Sequence, residues 1–233
     1  MDIKILHLIE GAKAARGTTV IIDVFRAFSV EAYMFSMGAE KVIPIGSSDL
    51  AYEMKRADPT LVLAGEREGK IMPGFDTGNS PYQLLSVDIK NKTAVHTTSA
   101  GTQGIANATG ATEILGCGLV NARATAEYIR KSGAEQVSLV CMGLMAKAET
   151  EEDTLCAKYI KAILEGSEID MPKEIENLKV TSGAKFFDEA QNDVFPREDF
   201  FMCTEVDKFP FAMRLTEGEN GVKYMERIDV DYE

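Results

Sequence analysis

Histidine occurs only twice in the 233 residues, at His7 and His96. That scarcity excludes a histidine-rich metal site and leaves few candidates for histidine general-base chemistry. The four cysteines, Cys117, Cys141, Cys156 and Cys203, form no C-x-x-C pair, so zinc ribbons and thioredoxin-type chemistry find no support. Cys117 and Cys141 lie in apolar, strand-like surroundings, where a buried inert thiol is the ordinary outcome. Basic residues are in deficit, 25 Lys plus Arg against 37 Asp plus Glu, for a net charge of −12. A broad basic surface for nucleic acid is thereby excluded, although one or two arginines inside a pocket could still hold a small anion. No apolar run approaches the ~20 residues of a membrane span. The N-terminal MDIKILHLIEGAKAARG has no basic stretch ahead of a long apolar one and does not read as a signal peptide. The expected setting is the cytoplasm, with reduced thiols.

An apolar fraction of 45% is ample for a core. Thr18–Val24 reads as a strand buried on both faces, followed by helical character from Ser29 to Met37 with Gly38 as the stop. Lys41–Ile45 is a second strand, which Pro44 places near a sheet edge. Ser48 and Asp49 offer caps for a helix to about Ala57, and Thr60–Ala64 is a third strand. Residues 65–81, GEREGKIMPGFDTGNSP, hold four glycines and two prolines, which argue against regular structure and for a long functional loop. Thr93–Thr98 is a fourth strand, with a helix from Gly101 to Thr109; Glu113–Leu115, a helix from Asn121 to Lys131, and Val137–Met142 follow. Thr150 caps a helix to Leu164, with Asp153 in a capping-box position. This βαβα order predicts an α/β fold: a mostly parallel sheet with helices on both faces. Residues 1–166 would form that core. Residues 167–233 would form a C-terminal helical segment plus a β-hairpin packed on it, turning at Asn220-Gly221.

Polar residues fall where those strands end. Asp23 and Arg26 follow the first, Glu66 and Arg67 the third, Thr97, Thr98, Ser99 and Thr102 the fourth, and Glu149, Glu151, Glu152 and Asp153 the strand ending at Met142. In a parallel sheet these positions share the carboxyl edge, where open α/β sheets bind ligands. Each residue also has a purely structural explanation, such as loop capping by Asp23, surface pairing of the arginines or helix-dipole placement of the acids. Together they suit an anionic substrate and a hard cation. Carboxylates without a histidine cluster favour Mg²⁺, arginines clamp phosphate or sulfonate, and the Thr98–Thr102 stretch opens a helix. The Walker and G-x-G-x-x-G patterns are absent.

The segments IIDVFRAFS (21–29), AGERE (64–68), GFDTGNSP (74–81), TTSAGT (97–102), GLVNARATA (118–126), ED (152–153) and DFFMCTEVDKFPFAMRL (199–215) occur in an order that resembles the 2-phosphosulfolactate phosphatase family. These are Mg²⁺-dependent phosphatases linked to coenzyme M biosynthesis. The resemblance implies an α/β fold, Mg²⁺ at the site, and hydrolysis of (2R)-O-phospho-3-sulfolactate to 3-sulfolactate and phosphate. The chain departs from the family pattern at Phe25, Phe28 and Ser99-Ala100, and in the stretch before the acidic pair. The resulting expectation gives catalytic roles to Asp23, Arg26, Glu66, Arg67, Glu152 and Asp153, with Asp23, Glu66 and Asp153 as metal ligands. Asp76, Asn79, Ser80, Thr97, Thr98 and Thr102 would bind substrate, with Gly74, Gly78 and Pro81 shaping the loop. The nucleophile stays open between a metal-activated water and Asp23 itself. A related phosphoester or a non-catalytic anion-binding role is the alternative, and a homodimer is the default assembly.

Overall fold

A computed structural model describes residues 1–219 and 221–231. The first half runs β1 (Asp2–His7), α1 (Leu8–Ala14), β2 (Gly17–Ile22), α2 (Ala27–Ser36), β3 (Lys41–Pro44), α3 (Ser48–Ala57), β4 (Val62–Arg67), β5 (Lys70–Ile71), α4 (Pro81–Leu84), β6 (Thr93–Thr97) and α5 (Gly101–Asn107). The second half runs β7 (Ala111–Cys117), α6 (Ala122–Ser132), β8 (Gln136–Cys141), α7 (Glu151–Glu165), α8 (Met171–Leu178), α9 (Arg197–Cys203), β9 (Phe211–Glu217) and β10 (Lys223–Asp229). All ten strands join one mostly parallel sheet, in the order β1-β8-β2-β7-β9-β10-β3-β6-β4-β5. The fold class is the α/β arrangement expected from the element order. Among the described residues no helix is long and apolar enough to cross a membrane.

β2 forms where Val20, Ile21 and Ile22 are fully buried, a continuous apolar run that suits a strand flanked by β7 and β8 in parallel. α2 is buried nearly all round and mostly apolar: Phe28, Val30, Ala32, Tyr33, Met34 and Phe35 are buried, with Ser29 and Glu31 buried among them. It shares one core cluster with Val42 of β3, Ala94 of β6, Met213 of β9 and Met225 of β10.

The C-terminal hairpin lies inside the sheet rather than on it. β9 pairs antiparallel with β7 and β10, and β10 meets β3 antiparallel through a single residue pair, Met225↔Val42. Three successive reversals make the block β1-β8-β2-β7 run opposite to the block β3-β6-β4. In a flat sheet their carboxyl ends would lie on opposite edges, and β2 and β4, six strand spacings apart, would be separated by about 29 Å. Residues after β2, in β4 and after β6 nevertheless line one cavity. The sheet therefore coils at the hairpin and brings the two sets of carboxyl ends together. The single rim of one parallel sheet, expected from the sequence, is replaced by the meeting of two rims.

Other local expectations change too. Pro44 ends an interior strand, not an edge, because β10 covers that side of β3. The glycine-rich loop is partly regular: β4 extends to Arg67 and β5 pairs back on it, with Glu68 and Gly69 at positive φ in the turn. Gly74 takes φ +75, whereas Gly78 does not occupy the left-handed region. Ser47, not Ser48 or Asp49, caps α3, accepting from Leu50 N. Thr150 occupies the N-cap of α7 without a side-chain cap bond. Asp153 makes no capping box, because its carboxylate is drawn to amides at the ends of β2 and β8. β1, which the sequence did not mark, is the strand at one end of the sheet, paired with β8, and the equally unmarked α1 follows it. The Asn220 half of the expected hairpin turn lies outside the described residues.

The junction between blocks has no room for a side chain at Gly116 of β7. A Cβ there would stand 2.5 Å from Phe28 Cδ1 and Cε1 and 3.0 Å from Met225 Cε. We expect Gly116→Ala to cost about 1–3 kcal/mol by overpacking and to lower the melting temperature by several degrees. An unchanged denaturation curve would show that the junction is looser than the geometry indicates.

Candidate active site

A cavity of about 400 Å³ is lined by Asp23, Phe25, Arg26, Glu66, Glu68, Gly69, Asn79, Thr98, Ser99, Ala100, Gly143, Leu144, Met145, Lys185 and Phe195. Asp23 leaves β2 and is buried; its Oδ1 accepts from Ala27 N at the start of α2 (3.2 Å). Two further acids hold the walls in place. Glu66 accepts from Ser99 N (2.9 Å) and Ser99 Oγ (2.8 Å) on Oε1, and from Gly69 N (2.7 Å) on Oε2. It thereby joins β4, its turn and the segment after β6. Asp153 accepts from Val24 N on Oδ1 and from Gly143 N on Oδ2, both at 2.8 Å, and so pins the ends of β2 and β8 to α7. Gly143 is required there: it sits at φ +63, and a Cβ would lie 2.1 Å from Ala148 O.

The cations divide. Arg26 is buried, and its NH1 donates to Asp199 Oδ2 (2.7 Å) and Val194 O (2.9 Å). The Phe195 ring lies 4.9 Å from its guanidinium carbon. Asp199 Oδ1 also accepts from Ser80 Oγ (2.8 Å) and Tyr82 N (2.9 Å), so Ser80 serves this carboxylate and not the cavity. Arg67 does not line the cavity. Its donors go to Glu66 O, Gly46 O and Thr97 Oγ1, and Thr97 is fully buried. Lys185 does reach the cavity, its Nζ lying 5.3–5.6 Å from the rings of Phe195, Phe186 and Phe25.

Among the expected substrate contacts, Asn79 and Thr98 line the cavity. Thr102 hydrogen-bonds back to Thr98 O (2.9 Å) and closes the first turn of α5. Asp76 lies outside: it is exposed, accepts from Leu63 N (2.8 Å) and pairs with Lys55 (3.2 Å). Behind Asn79 stands a buried chain, with Asn79 Oδ1 3.2 Å from His96 Nε2 and His96 Nδ1 2.8 Å from Glu31 Oε1. Sequence reasoning overlooked Asp199, Lys185 and this chain. Asp199 opens the last of the family-like segments, which could have flagged it; nothing near Lys185 in the sequence does. Glu149 pairs with His7 at 3.5 Å and Glu151 is exposed, both away from the site.

The electrostatics are those of crowded, desolvated acids. Burial pushes the Asp23 carboxyl up to about 6; the Ala27 amide opposes the rise, and Glu152 and Glu66 add to it. Burial, with Glu152 and Asp23, raises Asp153 well above its ordinary value. Glu152 is likewise raised by burial, against the pull of Ser182 and Lys185, and its Oε2 is buried without a hydrogen-bond partner. Burial lowers the Lys185 ammonium, with Glu152 opposing. Burial pushes the Cys141, Cys156 and Cys203 thiols up, which makes them poor nucleophiles.

For a divalent cation, the expected trio of Asp23, Glu66 and Asp153 is poorly disposed. Glu66 and Asp153 already accept N–H donors on both oxygens, and no group of three His, Cys, Asp or Glu among the described residues converges as a ready-made metal site. The unsatisfied Glu152 Oε2 and the strained charge of Asp23 nevertheless fit a hard cation, since Mg²⁺ needs only one or two carboxylates beside water and phosphate.

Fold and site together define an α/β enzyme with a carboxylate- and cation-lined cavity, open to solvent on one side, that suits a small anion. The sequence profile of the 2-phosphosulpholactate phosphatase family matches residues 3–218, and the chain belongs to that family of phosphoric monoester hydrolases. A Bacillus subtilis protein named "Probable 2-phosphosulfolactate phosphatase" is 30% identical over 210 residues, covering 90% of this chain and 91% of its own. One of the same name from Caldanaerobacter subterraneus subsp. tengcongensis is 34% identical over 214 residues, covering 85% and 88%.

The raised Asp23 pKa fixes a sign. With a folded value of about 6 against an ordinary 3.8, the folded state holds the extra proton between these limits. Stability therefore falls as pH rises through that window, by up to ~3 kcal/mol for a shift of about two units. Asp23→Asn keeps an acceptor for Ala27 N and removes the charge. In EDTA it should melt above wild type at pH 8, with the gap closing towards pH 4. A variant melting below wild type at pH 8 would contradict this assignment.

Proposed function

We propose that this chain hydrolyses 2-phospho-3-sulfolactate to 3-sulfolactate and phosphate with Mg²⁺. The observation that carries the reading is that Asp23 and Arg26 line one cavity: a buried carboxyl and a buried guanidinium held in place by Asp199. Family membership and the names of the relatives support the substrate.

Each residue then has a task. Arg26 binds the phosphoryl oxygens with the donors that Asp199 and Val194 leave free, and Asp199 keeps its fork from collapsing onto the neighbouring acids. Thr98, Ser99 and Asn79 complete the phosphate contacts, with Glu66 fixing Ser99 and His96 fixing Asn79. Asp153 holds the β2 and β8 ends at constant spacing. Phe25, Phe195, Leu144 and Met145 limit water at the mouth. Asp23 and Glu152 would hold Mg²⁺, which when bound supplies positive charge at the phosphoryl group and a more acidic water. Water is the nucleophile in this reading, since Asp23 is assigned to the cation and the Ser99 hydroxyl is committed to Glu66. The buried free cysteines suit a cytoplasmic setting.

The test is phosphate release from 2-phospho-3-sulfolactate, with Mg²⁺ and after EDTA. Release with the metal, its loss on chelation and its recovery on adding Mg²⁺ back are expected. No release in either condition, with substrate still raising the melting temperature, would reduce the protein to an anion binder. Arg26→Lys should lower kcat/KM at least ~10-fold, or ~1.4 kcal/mol. Arg67→Lys should stay within about threefold of wild type, because its donors serve the backbone; an equal loss in both variants would place Arg67 on the substrate.

A further inference from the structure

The two cations of the cavity differ in company. Arg26 is tied to Asp199 and Val194 O. Lys185, in the short 3₁₀ turn Ala184–Phe187, has neither a hydrogen bond nor an ion pair on Nζ among the described residues, although it lines the cavity. Its nearest company is aromatic, Phe195 at 5.3 Å, Phe186 at 5.4 Å and Phe25 at 5.6 Å from Nζ, with Glu152 the principal charge acting on it. Ring faces return part of the hydration an ammonium loses on burial, but they leave its three N–H donors unanswered. A half-buried cation with idle donors on a cavity wall is a receptor for an anion.

The surroundings select which anion. A phosphate dianion calls for more positive charge than one ammonium offers, and Arg26 beside Asp23 already supplies a place for it. A sulfonate carries a single charge on three oxygens, is weakly hydrated, and reaches the ester carbon through a methylene. It suits a point charge walled by phenyl rings, where water is scarce. A cavity of about 400 Å³ also has space for more than a phosphoryl group.

We propose that Lys185 receives the sulfonate of the substrate, and so makes the enzyme selective for phosphomonoesters of 2-hydroxy acids that also carry a sulfonate. This rests on the phosphatase reading above.

The experiment compares kcat/KM for 2-phospho-3-sulfolactate and for 2-phospholactate, which carries a methyl where the other carries the sulfonatomethyl group. Lys185→Met keeps the stem against the rings and removes the charge; Lys185→Arg keeps the charge. The ratio of the two kcat/KM values should fall at least 10-fold in Lys185→Met, chiefly through KM, and largely recover in Lys185→Arg. Equal losses on both esters, or no loss, overturn the assignment. If wild type turns over neither ester, the hydrolase reading fails, and the assignment is decided by binding. In that case 3-sulfolactate, but not lactate, should raise the melting temperature of wild type, and Lys185→Met should abolish the rise. Absence of that rise in wild type, or its survival in the variant, overturns the assignment.

Discussion

Asp199 has no exposed side-chain surface, and its two oxygens gather Arg26, Ser80 Oγ and Tyr82 N. Those partners come from the exit of β2, the N-terminus of α4 and, through Asp199 itself, the start of α9. A buried ion pair is costly to desolvate, and it is tolerated here because the carboxylate receives three hydrogen bonds. Even so, burial keeps its pKa above the ordinary value against the pull of Arg26. Removing one partner of such a pair typically costs 3–5 kcal/mol, so the C-terminal segment and the cavity stand or fall together. Val194 O and Phe195, both on Arg26, belong to that same segment.

The second constraint is topological. The carboxyl ends of two oppositely directed blocks meet only because β9 and β10 are inserted between β7 and β3, and the one-pair join at Met225↔Val42 is where the sheet turns. α2 packs against β3, β6, β9 and β10 in one core cluster, which is why it is buried on nearly every side. The hairpin is thus as much a part of the active-site architecture as the strands that carry the polar residues, although it contributes no side chain to the cavity wall.

A chain of net charge −12 has little to spare for attracting anions, and the cavity answers with position rather than quantity. Glu66 and Asp153 accept donors on both oxygens and act as struts, although burial still raises Asp153 well above its ordinary value. Asp23 and Glu152 are raised by burial with fewer donors to offset it, and the charge of Lys185 opposes the rise at Glu152. Two roles for carboxylates of the same type follow from one difference: whether donors reach both oxygens.

Much of the order of elements was readable in the residues: the apolar runs of β2, β6 and β8, the glycine and capping signals between them, and the ordered segments that mark the family. These are local properties, set by neighbours within a few positions. β1 escaped notice because IKILHLI fits strand and helix periods equally well. The direction of the second block, the insertion of the hairpin, the turning of Arg67 to its own backbone and the distance of Asp76 from the cavity were not readable. Nor were the aromatic cage of Lys185 and the bond from Arg26 to Asp199 across 173 positions. Composition and spacing determined which chemistry was available. Long-range packing decided which carboxylates became struts and which cations were left free, because hydrogen-bond partners are chosen by proximity in space, and proximity is decided only once the sheet has coiled.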